Sequence, residues 1–362
     1  MYSPTWGFAL NLPEGYEYVD GDGRDRFSFN GPGMAHFDIV VYSGVYGSIK
    51  ELVDDVNRRL SNQGNSDFFK YKDRQAAILG LSFNSFSGWA LCVELDSPAG
   101  TAAGTAVGTT PPFLLALAYD QDGSDALSLF HMSALDSIIP SSEERFFPGP
   151  IMEYSYPRGE PKQAALFSSG VSAMIRENDA QAAQDLIERE FNILKNYLTA
   201  PNWKEAWIRY YRMIYRDSFD RVSPAAVALG QRWDGDKVAN HDTARIFAQK
   251  ALAFVQGFKY ERDLNGSDFI NLVTAVTEGR GDCDSRAMLW AIISAHAGIR
   301  TAMMVSREYN HAMGLADIDG TGARFDAYET RWLVAETTDN VDIGLIAQDV
   351  SDARLWLGIL LE

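Results

Sequence analysis

Short runs of alternating apolar and polar residues recur through the first 145 residues, between turn-forming residues. A period of two is typical of half-buried strands, so this part is predicted to form an antiparallel sheet. An amphipathic helix is predicted at Ile49–Leu60, where apolar residues recur at helical spacing. A second helix is predicted through His131–Ile138. The predicted strands are 6–12, 37–42, 75–84, 88–95 and 113–119.

The pattern changes after Phe146-Phe147-Pro148-Gly149-Pro150, where two prolines and a glycine interrupt any regular element. Beyond this point, apolar residues recur at helical spacing, first in a stripe through 178–198. The chain is therefore predicted to have two domains, 1–148 and 149–362. In the second, a helical part at about 175–260 precedes a cysteine-bearing helix and a sheet at about 280–340. The further predicted helices are 203–215, 222–232 and 241–258.

Two segments are predicted to be loops despite their suggestive composition. The small-residue stretch 97–112, SPAGTAAGTAVGTTPP, is typical of a mobile hairpin loop. Asp120–Asp125 and Asp20–Gly23 resemble calcium loops, but the twelfth position is His131 or Gly31, where a bidentate Glu is required. We therefore expect turns there and predict no metal. No nucleotide or serine-hydrolase motif is found, and no organic cofactor is expected.

The excess of acidic over basic residues argues against some classes of binding partner. The 362 residues include 32 basic and 49 acidic side chains, a formal net charge of −17. Such a surface repels phosphate backbones and anionic lipid, so no nucleic-acid partner is expected. No apolar run is long enough for a membrane span, which predicts a soluble chain. Because strand-like sequence begins almost at the first residue, an extracytoplasmic protein with a removed leader is one hypothesis for an otherwise open localisation.

Cys283 is the candidate nucleophile. The chain has two cysteines, and Cys92 lies in an alternating run typical of a core strand. Cys283 follows Gly281 and Asp282 and precedes an apolar run to Ala295, so it is predicted to lie in the first turn of a buried helix. The helix dipole and the free N–H groups there favour a thiolate, the form that attacks acyl carbons.

A thiolate nucleophile needs an imidazole partner, and the five histidines allow a choice. His296 lies on the predicted helix of Cys283 but about 220° around it and roughly 20 Å along its axis, too far to reach. His311 opens an alternating run that predicts a strand, and it is the candidate. The remaining histidines are assigned to a helix terminus or to the first domain: His241, His36 and His131.

An acidic residue is expected to hold the imidazole in one tautomer. Glu336 ends an apolar strand, where a carboxylate is costly unless it is paired. Asp326 is the alternative acid. The Asp319-Gly320 pair is predicted to be the turn of the hairpin that precedes these residues.

These residues occur in an order that resembles the transglutaminase-like superfamily over about 240–340. The order comprises a Phe-Val-Gln … Tyr phrase at 254–260, the Gly-x-Cys helix start, a Gly-Ile helix end at 298–299, the strand opened by His311, and a Trp-x-x-x-acid-x-Thr strand. The resemblance implies a papain-like α+β core and a triad of Cys283, His311 and Glu336. The chain departs from the family in having Glu followed by Thr where Asp-Pro is usual.

The first domain resembles the Mog1/PsbP-like fold through its Leu-Pro-x-Gly-Tyr phrase at 12–16 and the order of its elements. That resemblance implies an antiparallel sheet with flanking helices, acting as a binding or docking module for a protein partner.

The expected function is cysteine-nucleophile chemistry on an amide, as a peptidase or amidase acting on a protein or peptide. Two alternatives stay open: an acyltransferase with transglutaminase activity, and a catalytically degenerate scaffold.

Overall fold

The computed structural model describes residues 1–97, 110–121, 125–234, 241–262 and 266–361. These residues form the predicted α+β fold, with eight α-helices and a large antiparallel sheet among the described residues. Most of the loop predicted at 97–112, and part of the calcium-like sequence at 120–125, lie outside them. No helix in the described part of the chain is both long and apolar enough to cross a membrane.

The chain divides into two compact units. Unit 1 comprises Met1–Ser155 and Asn192–Ala206, and unit 2 comprises Tyr156–Phe191 and Trp207–Glu362. The domains predicted from the sequence, 1–148 and 149–362, are segments expected to fold independently. That expectation stays a prediction.

Unit 1 contains a seven-stranded antiparallel sheet, in the order β1-β2-β3-β7-β6-β5-β4. Its strands are β1 (Glu17–Gly21), β2 (Arg26–Asn30), β3 (His36–Tyr42), β4 (Ser66–Tyr71), β5 (Arg74–Phe83), β6 (Phe86–Glu94) and β7 (Phe113–Asp120). Its helices are α1 (Ile49–Leu60), α2 (Asp125–Asp136) and α3 (Pro150–Ser155).

Both faces of this sheet carry an apolar core, and its central strands bury residues on both sides. Ala77 and Leu79 of β5 pack with the apolar stripe of α1, whereas Ala76 and Ile78 belong to the core that includes Leu135. This alternation is the period of two on which the strand predictions rest.

Several sequence predictions hold in unit 1, and one is wrong. Helix α1 has the predicted bounds, and four predicted strands correspond to β3, β5, β6 and β7. The predicted strand 6–12 is not part of the sheet: Trp6 ends a turn, and Ala9 forms isolated bridges to Tyr2 and Ile139. Trp6 and Phe8 are nevertheless buried, so the alternating apolar residues of this segment reflect burial of their side chains rather than pairing with a strand. The strands β1, β2 and β4 were not predicted; β1 and β4 are largely exposed, so they lack the alternation of a half-buried strand.

Unit 2 begins with a small antiparallel ribbon and continues with helices. The ribbon is β8 (Pro161–Ala165) and β9 (Ser172–Arg176). The helices are α4 (Asp179–Leu194), α5 (Trp203–Asp234), α6 (His241–Gln256), α7 (Leu272–Glu278) and α8 (Cys283–His296), of which α4 and α5 extend into the unit 1 segment Asn192–Ala206.

The helices predicted at 203–215 and 222–232 form the single helix α5, despite Pro224 in its interior. Among the charged residues between them, Asp217 and Arg221 are buried and paired within unit 2. Arg221 binds Asp217 one turn earlier and Asp179 of α4, at 2.8 Å to each carboxylate. Ion pairing to another helix therefore allows the polar turn to stay helical, which a local pattern cannot predict.

The second sheet has five antiparallel strands in the order β14-β15-β13-β12-β16. The prediction that Asp319-Gly320 forms the turn of a hairpin was wrong, because the strands before and after this pair are not neighbours in the sheet. The hairpin instead joins β14 to β15 through Tyr328 and Glu329, both with positive φ. The strands are β12 (Thr301–Ser306), β13 (His311–Ala316), β14 (Arg324–Ala327), β15 (Thr330–Ala335) and β16 (Leu357–Leu360).

Helix α8 packs against β12 and β13 and is buried on nearly every side. Trp290 of α8 lies flat against Gly314 of β13, where an added Cβ atom would approach the indole ring to 2.3 Å. The indole N–H donates to the Ala248 carbonyl at 3.0 Å. This close approach fixes the start of α8 relative to the start of β13.

Candidate active site

Cys283 is the first residue of α8, as predicted. The Asp282 side chain caps the helix by accepting a hydrogen bond from the Ser285 N–H at 2.8 Å. The backbone N–H groups of Asp284 and of Ala312, the second residue of β13, act on the Cys283 sulfur and lower the pKa of its thiol. The residue is 7% exposed, so the sulfur lies just beneath the surface of unit 2. Cys283 therefore contacts the backbone directly after His311.

His311 and Glu336 form a hydrogen-bonded pair. His311 Nε2 lies 2.8 Å from Glu336 Oε2, and an ionised carboxylate can only accept, so the imidazole donates. The sheet register explains the contact: Gly314 pairs with Ala335, which brings the following residue, Glu336, alongside the start of β13. Since Glu336 binds Nε2, Nδ1 is the ring nitrogen that this contact leaves available.

The second carboxylate oxygen of Glu336 is also bound. Oε1 accepts hydrogen bonds from the Thr338 N–H at 2.7 Å and the Thr338 hydroxyl at 2.6 Å. Gln256 donates to the Glu336 carbonyl at 2.8 Å. Burial acts to raise the pKa of Glu336, but the hydrogen bonds from His311 and Thr338 outweigh it, so the pKa falls below its usual value. Glu336 is thus held as a carboxylate.

Asp326, the alternative acid, has a different environment. Its side chain is 80% exposed on β14 and forms an ion pair with Arg331 of β15 at 3.8 Å. The structure therefore brings Glu336, rather than Asp326, to His311.

The thiol is less acidic than the helix start alone predicts. Burial raises the pKa of Cys283, and the charges of Asp284 and Asp282 raise it further, whereas the Ala312 and Asp284 N–H groups lower it. The expectation of a favoured thiolate was wrong in direction, because it considered only the helix dipole and not the burial or the flanking carboxyls.

The two flanking carboxyl groups lie within 4.8 Å of each other, and burial raises the pKa of both. The pair holds one proton more readily than two isolated carboxylates would. Asp284 also accepts a hydrogen bond from the Tyr211 hydroxyl at 2.7 Å. Tyr211 belongs to the aromatic run at 210–216 of α5.

The oxygens of Asp282 and Asp284 and the Cys283 sulfur lie within 4.8 Å of one another, close enough to offer ligands to a cation. Oxygens of both carboxyls are already bound, by Ser285 and by Tyr211. We assign no ion to this cluster, and the absence of a metal stays a prediction.

Three neighbours of the site were not predicted from the sequence. Burial and the charge of Cys283 raise the pKa of the Tyr260 hydroxyl, which the parallel pairing of β10 (Lys259–Tyr260) with β11 (Arg280–Gly281) brings to the start of α8. Arg286 is buried one turn into α8. Trp356, in the C-terminal segment, packs its ring 6.1 Å from that of His311. Only the phrase at 254–260 signalled Tyr260; nothing in the sequence signalled the other two.

Comparison with known proteins adds little to this geometry. No family model matches the chain, and no curated protein matches it. Among solved structures, calcium-bound LapG of Legionella pneumophila aligns with 15% identity and a TM-score of 0.24, over 48% of this chain and 81% of LapG. A protein of Cytophaga hutchinsonii described as a cysteine protease aligns with 11% identity and a TM-score of 0.23, over 99% of this chain and 81% of its own. Both superpositions are too loose to carry an argument about this chain.

Proposed function

We propose that unit 2 catalyses acyl-group chemistry on an amide, with Cys283 as nucleophile, His311 as general base and acid, and Glu336 as the residue that orients His311. The observation that carries the proposal is the 2.8 Å contact between His311 and Glu336. It lies at the start of β13, where the N–H of the next residue, Ala312, acts on the Cys283 thiol. A nucleophile, a base and an orienting acid in this order are the requirements of cysteine catalysis. The papain-like core, implied by the resemblance to the transglutaminase-like superfamily, is part of the same proposal.

Acylation begins with a protonated thiol, because the raised pKa of Cys283 disfavours a preformed ion pair. His311 Nδ1 accepts the thiol proton as the sulfur attacks the acyl carbon and the C–S bond forms. The negative charge moves to the former carbonyl oxygen. The Cys283 N–H, which has no acceptor inside its own helix, is the donor available to that oxygen.

The imidazolium then gives its proton to the leaving nitrogen, and the C–N bond breaks to leave a thioester on Cys283. Glu336 stabilises the imidazolium through the Nε2 hydrogen bond. Water loses a proton to His311 and attacks the thioester, which releases a carboxylic acid and restores the thiol. A primary amine in place of water would give the transferase reaction, so the two outcomes differ only in the acceptor.

The test is acyl trapping with p-nitrophenyl acetate, an activated ester that needs no knowledge of the natural substrate. We expect a burst of p-nitrophenol and one acetyl group on the peptide that contains Cys283, identified by mass spectrometry. The acetylation rate should fall in His311→Ala, with Cys92→Ala as the matched control. Adding a primary amine then separates hydrolysis from transfer by the product formed.

The scaffold reading has one observation in its favour, the 7% exposure of Cys283. Absence of acetylation, or acetylation equal in wild type and His311→Ala, would reject the catalytic proposal and support that reading.

A further inference from the structure

The guanidinium of Arg286 is buried beside the candidate active site, with 2% of the residue exposed. It donates three hydrogen bonds, all to main-chain carbonyls: Nη2 to Phe258 at 2.6 Å, Nε to Gly281 at 3.2 Å and Nη1 to Thr337 at 3.5 Å. The planar, forked guanidinium of an arginine can donate hydrogen bonds to several acceptors in fixed directions, which a lysine ammonium cannot.

Each accepting carbonyl lies next to a residue of the site. Phe258 is two residues before Tyr260, Gly281 is two residues before Cys283, and Thr337 directly follows Glu336. These segments are far apart in sequence, so their registration depends on tertiary contacts. One side chain therefore ties the β10 segment, the start of α8 and the end of β15 together.

Within the part of the chain that the structure describes, no acidic side chain hydrogen-bonds to Arg286. Its hydrogen-bond acceptors among the described residues are backbone oxygens, and its guanidinium lies 5.5 Å from the centre of the Tyr260 ring. Burial lowers the pKa of Arg286, whereas the charges of Tyr260, Asp282, Cys283 and Glu336 act to raise it. Keeping an unpaired cation buried is costly, and an apolar side chain of similar length would fill the space without that cost.

We infer that Arg286 is a positioning residue of the proposed reaction: its fork holds the segments of Tyr260, Cys283 and Glu336 in register, and its charge favours the developing thiolate. This inference rests on the proposed function of Cys283. Arg286 acts through the backbone and the local field rather than by contact with the substrate.

Other charged and titratable groups also act on Cys283. The carboxyls of Asp282 and Asp284, at the start of α8, oppose thiolate formation. Tyr260 of β10, Tyr211 of α5 and Arg262 also interact with the charge of Cys283. Glu336, at the end of β15, binds His311 of β13 and acts on Arg286. Arg286 is the buried cation among these groups, so its removal should change the pH dependence of the thiol.

The experiment measures Cys283 alkylation by iodoacetamide as a function of pH in the full chain, in wild type, Arg286→Lys and Arg286→Met. Arg286→Lys keeps a positive charge but loses the fork, and Arg286→Met loses both. The control is Arg221→Lys, the same change at another buried arginine of unit 2, which binds Asp217 and Asp179 away from the site. The fraction folded is measured for each by circular dichroism.

We expect Arg286→Lys to slow alkylation about tenfold with little change in the apparent pKa. Arg286→Met should be slower still, with the apparent pKa raised by about one unit because a nearby cation is gone. Arg221→Lys should lower the melting temperature without changing the rate or the pH profile of the folded protein. The corresponding acetylation rates should fall in the same order.

Wild-type rate and pH profile in folded Arg286→Met would overturn the inference. Where that variant does not fold, Arg286→Lys decides: a rate that drops only with the fraction folded, as in Arg221→Lys, also overturns it. Failure of the proposed function is a separate result, because wild-type alkylation would then be indifferent to His311→Ala whatever Arg286 does.

Discussion

Each unit has a buried free cysteine at an antiparallel sheet, and the two thiols differ in their polar neighbours. Cys92 lies inside β6 at 0% exposure among apolar side chains, and burial alone raises the pKa of its thiol to about 12. Cys283 lies at a helix start, where two carboxyls raise its pKa and two N–H groups lower it.

The comparison shows that burial does not distinguish a structural thiol from a candidate nucleophile. The difference lies in what surrounds the sulfur: Cys283 has backbone donors, a hydroxyl and an imidazole on the adjoining residue, whereas Cys92 is an apolar side chain within a core. A reactive cysteine can therefore have a raised resting pKa if a base is placed to take its proton as it attacks.

The largest expected effect separates the two cysteines by activity. Cys283→Ala should reduce acetylation by p-nitrophenyl acetate about a thousandfold or more, because the nucleophile is lost. Cys92→Ala should leave the rate unchanged at equal folded protein. The measurement is burst kinetics with mass spectrometry of the labelled peptide. Equal losses in the two variants would remove the functional distinction between the thiols.

A smaller effect is expected from the acid that orients His311. Glu336→Gln should lower the acetylation rate about a hundredfold, because a neutral amide cannot stabilise the imidazolium. Asp326→Asn, at the exposed alternative acid, should have the wild-type rate. Single-turnover rates at fixed pH test the pair, and the opposite ranking would reassign the third member of the proposed triad to Asp326.

A third prediction compares the two sheets through a glycine in each. Gly314→Ala should lower the free energy of unfolding by about 1–3 kcal/mol, because its Cβ would meet the Trp290 ring. Gly80→Ala in β5 should change it by less than about 1 kcal/mol, since the nearest atom is 3.8 Å from the added Cβ. Urea unfolding measures both. A costless Gly314→Ala would show that the start of α8 tolerates movement against β13.

The smallest effect is a loss of stability at alkaline pH, shared by the two thiols. Both have raised pKa values, so the unfolded chain releases these protons first and the free energy of unfolding falls as pH rises above about 8.5. By pH 9.5 each thiol should contribute a loss of about 1 kcal/mol. Urea unfolding at several pH values across this range should show that the free energy of unfolding falls less steeply with pH in Cys92→Ala and in Cys283→Ala than in wild type. If the pH dependence of the free energy of unfolding were unchanged in Cys283→Ala alone, the Cys283 thiol would ionise as readily in the folded as in the unfolded chain.

Local sequence patterns correctly predicted the elements whose own residues show a full apolar periodicity or a capping signal. The bounds of α1 followed from its apolar stripe, and the start of α8 followed from the glycine and aspartate before an apolar run. The predictions that were wrong involved partners distant in sequence. Helix α5 continues because Arg221 reaches Asp179, and the 6–12 segment is buried without joining the sheet.

The sequence by itself determined the α+β class, the order of the candidate residues and the choice of His311 over the other histidines. Only the tertiary structure decided that Glu336 rather than Asp326 binds His311, that burial and carboxyls raise the pKa of Cys283, and that Arg286 joins three segments of the site. The physical reason is that periodicity and capping act over a few residues. Strand pairing, burial and the electrostatic field depend on residues brought together from distant parts of the chain.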